Sequence, residues 1–171
     1  MREDRISGTG GGLRYLVEAS TSGMVNQEHD DSCTIACVRQ LLKDASLDLA
    51  ESDLIARIGV VVGFGSTADD AARVPDELHP GLGYRGGAVN PGAIRILFGR
   101  DPWIAFLQTD RRTIHSVIVD GLNGDIVSLR DPWGLSGPGS ESGTRATIRL
   151  SDFLEHWHWA INNVIYPYRL K

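Results

Sequence analysis

Gln27-Glu28-His29-Asp30-Asp31-Ser32-Cys33-Thr34-Ile35-Ala36-Cys37 divides into two halves. The first six residues are polar. From Cys33 the chain turns apolar, with Ile35, Ala36, Val38, Leu41, Leu42 and Ala45 near helical spacing. The change predicts a helix over Cys33 to Ala45 with a thiol in its first turn. A helix N-terminus carries unpaired N–H groups and partial positive charge. Both stabilise a thiolate, the reactive form of cysteine. The polar run before Cys33 predicts that this thiol faces a surface cleft. Cys37, one turn further along among apolar residues, reads as core packing. Both thiols are expected reduced, because helical Cβ vectors run roughly parallel and suit a bridge poorly.

Working outward, Leu13 to Ala19 reads as a short strand and Glu51 to Ile58 as a second helix. Ser66 to Leu78 holds a third, disturbed by Pro75. Gly81 to Gly87 reads as loop. Asn90-Pro91 opens a short helix through Leu97. The second half changes character. Trp103 to Leu107, Ile114 to Val119, Ile126 to Leu129, Ala146 to Leu150 and Ala160 to Tyr166 read as strands. Ser151 is expected to cap a helix through Trp157. Helices first and an antiparallel sheet after them is the α+β pattern. Ser7 to Gly12 is linker-like, so residues 1–12 are expected to be a flexible N-terminal linker and 13–171 one domain.

Composition narrows the classes. The chain has 171 residues, 42% hydrophobic and 23% charged, which suits one folded domain with a sizeable core. A formal charge of -5 with scattered arginines argues against nucleic acid as a partner. No apolar run approaches the ~20 residues of a membrane span, and Met1 to Arg5 lead into no apolar core, so neither a membrane nor a signal peptide is expected. The glycines at Gly8 to Gly12 and Gly63 to Gly65 are followed by no Lys-Ser/Thr, so no nucleotide cofactor is expected. His29, Cys33 and Cys37 match no paired-ligand spacing, so no metal is expected either. His156 and His158 cannot share a helix face and read as surface or packing residues. The sequence names no cellular compartment.

A thiolate nucleophile needs a base, and the base needs an orienting group on its other ring nitrogen. His115 opens the strand His115 to Val119, and Asp131 follows the partner strand. Asn123-Gly124 predicts the hairpin turn between them. His115 lies about eight or nine residues before that turn and Asp131 a similar distance after it, so the two are expected to face each other across the ladder.

At these residues the chain resembles papain-like cysteine peptidases. It is similar in particular to the bacteriocin-processing peptidases that trim double-glycine leaders. Those carry a glutamine six residues before the nucleophilic cysteine, matched by Gln27 and Cys33. They also carry a histidine at a strand start and a later Asp-Pro, matched by His115 and Asp131-Pro132. The resemblance implies a papain-like fold, with the predicted N-terminal helices packed on the C-terminal sheet. It implies Cys33 as nucleophile, His115 as general base, Asp131 as orienter, and Gln27 with the Cys33 N–H as the oxyanion hole. Met24 to Gln27, Cys33 to Leu42, Asp101 to Ala105, His115 to Gly121, Arg130 to Trp133 and Ser151 to Trp157 are also similar to papain-fold domains of bacterial toxins and effectors. This implies a protein or peptide substrate, a cognate immunity protein as partner, and delivery from a bacterium within a larger protein. One departure is Thr34, where many relatives carry glycine or alanine; it narrows the space beside the thiol. The expected activity is a cysteine peptidase. A protein glutamine deamidase using the same residues, and a catalytically silent peptide-binding domain, are the alternatives.

Overall fold

A computed structural model describes residues 13–60, 65–81 and 83–168. The linker expected over residues 1–12 lies outside them.

Trp103–Gln108 (β3) has five buried residues in a row. A strand apolar without alternation must be covered on both faces, and β3 is. It sits inside a seven-stranded antiparallel sheet of order β1-β6-β5-β4-β3-β7-β2. The other strands are β1 (Tyr15–Ser20), β2 (Tyr84–Ala88), β4 (Ile114–Asn123), β5 (Ile126–Asp131), β6 (Thr144–Arg149) and β7 (Asn163–Pro167).

Ile104, Phe106, Ile118 and Ile165 point to one face. There they bury the apolar stripes of α1 (Cys33–Asp44), α2 (Glu51–Ile58) and α3 (Ala68–Leu78). Trp103, Ala105, Leu107, Val117, Val119 and Leu129 point to the other face. These meet Leu97 of α4 (Ile94–Phe98) and Phe153 and Trp157 of α5 (Leu150–Trp159). Trp103 packs edge-on against Phe98, Phe153 and Trp157. The mixed α+β architecture is therefore as expected. The sheet is wider than the outline, because β1 and β2 come from the N-terminal half and form its two edges.

Three local readings change. Gly81 to Gly87 is not all loop: Tyr84–Ala88 is a strand paired with β7. Glycine is needed there because a Cβ on Gly86 would lie 2.0 Å from the Ala68 carbonyl oxygen, so the strand runs against α3. Ser151 is not a cap; α5 begins at Leu150, and Arg149 precedes it without a side-chain cap. The β4–β5 hairpin turns at Gly124 and Asp125, one residue later than expected, with Gly124 at φ +62. Positive φ at the first central position is the requirement of a two-residue hairpin turn.

Candidate active site

Cys33 is the first residue of α1. Ser32 precedes it at the N-cap position but makes no side-chain bond to the helix. Its hydroxyl instead accepts the His29 N–H and donates to the His29 carbonyl, both at 3.0 Å. The first turn of α1 contains no acidic residue. The positive end of the helix is thus left uncapped beside the thiol, where a thiolate or an oxyanion gains most from it. Cys33 is partly exposed, and Cys37 is fully buried among apolar residues.

His115 and Asp131 come from neighbouring strands, but not from directly opposed positions. Ile118 pairs with Arg130, which sets Asp131 across from Val117, two residues along from His115. The later turn alone would set Asp131 across from Ile118, on the opposite face; a bulge at Asp120, where the register shifts between Val119 and Gly121, moves it back to Val117, on the face of His115. Diagonal neighbours on one face still meet. The His115 Nε2 lies 2.6 Å from Asp131 Oδ1, with both side chains buried. Asp131 Oδ1 also accepts the Trp133 N–H at 2.9 Å, and Oδ2 accepts the Tyr15 hydroxyl at 2.6 Å.

With Nε2 committed to Asp131, Nδ1 is the ring nitrogen left for Cys33. It is buried and makes no aligned hydrogen bond. The thiol and ring are nevertheless close enough to move each other's proton affinity. Burial pushes the Cys33 thiol up, but the hydrogen bond and charge of His115, with Ser116, outweigh it and hold the thiol below its ordinary value. Burial pulls His115 down, but the charge and hydrogen bond of Asp131, with Cys33, push it up to about 10. Asp131 is raised by burial and lowered further by His115, Tyr15 and the Trp133 N–H, for a net fall. Both shifts favour the charged form of each partner, a thiolate beside an imidazolium.

Gln27 is fully buried six residues before Cys33. Its Nε2 donates to the carbonyls of His29 at 2.7 Å and Asp30 at 3.2 Å, and its Oε1 has no partner. The segment leading to it is stitched to the Asp131 loop. The Gln27 N–H donates to the Pro132 carbonyl at 2.8 Å. Asn26 Nδ2 donates to the carbonyls of Pro132, Trp133 and Gly137, and its Oδ1 accepts the Ser140 N–H. Arg130 braces the same corner from Asp120, Asp44 and the Gly23 carbonyl. Gln27, Cys33, His115 and Asp131 are therefore brought into one region by direct contacts or through shared loops.

Tyr15, Asn26, Ser116 and Arg130 were not legible in the sequence. Each is an ordinary residue type whose partner lies far along the chain. As for metals, Glu28, His29 and Glu51 each present one ligand atom within 4.8 Å of the others. Glu51 is buried and accepts the Glu28 N–H, so this cluster braces the loop before Cys33 and takes in no part of the Cys33–His115 pair.

No protein-family model and no curated protein matches this chain. Solved structures do. The peptidase domain of Streptococcus ComA, a bifunctional ABC transporter of a quorum-sensing pathway, superposes with a TM-score of 0.63 at 19% identity, over 84% of this chain and 95% of that one. A double-glycine-motif protease from an AMS/PCAT transporter, solved with its leader peptide, gives 0.58 at 16%, over 88% and 97%. The peptidase domain of Streptococcus mutans ComA gives 0.50 at 19%, over 84% and 97%. At these identities the likeness establishes the fold, which is that of papain-like peptidase domains.

Proposed function

We propose that this chain is a cysteine peptidase in which Cys33 attacks an amide carbonyl, His115 serves as base and acid, and Asp131 orients His115. The observation that carries this reading is the Asp131–His115–Cys33 series at an uncapped helix N-terminus, with the His115 proton affinity raised and that of Cys33 lowered. The fold shared with peptidase domains supports it.

In the proposed reaction the Cys33 thiolate forms a bond to the carbonyl carbon. The charge that develops on oxygen faces the first-turn N–H groups of α1. Gln27 would supply a second donor by turning one amide hydrogen away from its longer contact with Asp30. The His115 imidazolium gives its proton from Nδ1 to the leaving amine. A thioester remains. His115, now neutral, takes a proton from water, whose oxygen displaces Cys33 and releases the acid. Asp131 keeps the ring in one tautomer throughout.

The proposed substrate class is a peptide; one structural neighbour is a protease solved with its leader peptide. The proposed setting is a bacterial toxin or effector domain with a cognate immunity protein, and its support is the sequence resemblance described above. Mass spectrometry of a proteome treated with wild-type protein and with Cys33→Ala tests the activity. New peptide termini that depend on Cys33 are the expected result. Deamidated glutamines without new termini would replace the peptidase by a deamidase, and no change of either kind would leave a binding domain.

A further inference from the structure

The role of Asp131 depends on its carboxylate holding one orientation, and the strand that secures it is the edge strand β1, beyond β6. Oδ1 of Asp131 receives two donors, His115 and the Trp133 N–H. With Oδ1 alone held, the carboxylate could pivot about that oxygen and swing the His115 ring with it. Oδ2 receives the Tyr15 hydroxyl at 2.6 Å. We propose that Tyr15 is a positioning residue of this site, whose hydroxyl fixes the Asp131 carboxylate plane and thereby aims His115 at Cys33. The proposal rests on the reading of Cys33 and His115 as nucleophile and base.

Three further observations support it. First, Tyr15 sits at an irregularity: β1 pairs Tyr15 with Ile148 and Val17 with Thr147, so the register slips between them. A bulge re-aims side chains, and here it coincides with the residue that reaches Asp131. Second, β1 is held beyond its sheet pairing. Arg14 bonds Asp110 on the β3–β4 loop at 2.9 Å, and Asp152 and Glu155 on α5 at 3.0 Å each. The hydroxyl therefore arrives from a strand fixed at its start. Third, packing does not require the hydroxyl. The Tyr15 ring lies in the apolar cluster with Leu13, Val127 and Ile148, where phenylalanine would fill the same space. Burial and the Asp131 charge also hold the phenol protonated well above its ordinary range, so it remains a donor.

Iodoacetamide alkylation of Cys33 across pH tests this without knowledge of the substrate. Intact mass counts the label, and Cys33→Ser gives the blank. The wild type should react with a midpoint below the ordinary thiol value of ~8.5. Tyr15→Phe should raise that midpoint by about one pH unit and slow alkylation about tenfold below it, because a pivoting Asp131 carboxylate no longer aims His115 at the thiol. A Tyr15→Phe midpoint equal to wild type overturns the proposal, whatever happens to the melting temperature. A wild-type midpoint at the ordinary thiol value overturns the Cys33–His115 reading instead. The wild-type protein offers a second reading, by NMR of labelled tyrosine. Tyr15 should stay a phenol through and beyond the ordinary tyrosine pKa of ~10; ionisation at the ordinary value would also overturn the proposal.

Discussion

Thr34 and Ser116 share a hydroxyl–hydroxyl hydrogen bond of 2.8 Å, with both side chains buried. The bond joins the first turn of α1 to β4 between the neighbours of Cys33 and His115. Thr34, where the peptidases named above often carry glycine or alanine, thus clamps the two sides of the site. Ser116 is shared further, since its carbonyl accepts the Cys37 thiol at 3.4 Å. Removing one hydroxyl strands the other. Thr34→Val and Ser116→Ala should each cost about 1–3 kcal/mol, and the double variant less than their sum. Urea unfolding of the four proteins in the cycle checks this; strict additivity would show that the pair is not coupled.

Stability should fall at both ends of the pH scale for separate reasons. His115 binds its proton more tightly in the folded state, at about 10 against an ordinary 6.5. Its contribution is complete below the ordinary value and is lost as pH rises through the folded one. Asp131 is depressed, so its contribution is complete above the ordinary carboxylate value and is lost as pH falls through the folded one. Urea midpoints should therefore decline on the alkaline side in wild type. In His115→Gln that alkaline decline should be reduced.

Asp131→Asn should leave Cys33 and His115 in place and remove the charge that favours the imidazolium. A loss in kcat on the order of a hundredfold is expected, with KM little changed. The alkylation midpoint of Cys33 should move up in parallel. A large loss of activity with an unmoved midpoint would show that Asp131 acts by some other route.

Gly143 sits where the Met24 segment crosses the Asp131 loop. A Cβ there would meet the Asp131 carbonyl oxygen at 2.5 Å and Met24 Cγ at 2.6 Å. Gly143→Ala should therefore cost roughly 1–3 kcal/mol by forcing the two apart. Activity should suffer beyond the fraction unfolded, since the same crossing places Gln27. Gly124→Ala makes the control, because φ there is +62 but nothing lies within 4 Å of its Cβ, and it sits in the β4–β5 hairpin turn away from Gln27; it should cost stability alone.

The sequence carried the elements that depend on local pattern. The polar-to-apolar change at Cys33 placed α1 to within a residue of its observed ends, and the alternation and turn signals placed most of the sheet. What it missed depends on distant partners. The strand Tyr84–Ala88 looked like loop because its glycines serve the approach to α3, and that neighbour is invisible in a local window. The diagonal placement of His115 and Asp131 depends on one bulged residue, Asp120, which an unbroken apolar strand pattern does not announce. Tyr15 and Asn26 act on residues more than a hundred positions away.

The order of the sheet also sets when the site can exist during synthesis. β1 is made first, yet its sheet partner is β6, with Tyr15 set against Ile148. At ribosomal speeds of about 5–20 residues per second, β1 waits on the order of ten seconds for that partner. Until β6 emerges, Asp131 has no neighbour on its outer side and no docked strand to bring it Tyr15. Until then the proposed base has no fixed aim, so on the reading proposed above the nascent thiol stays a spectator through the synthesis of every strand before β6.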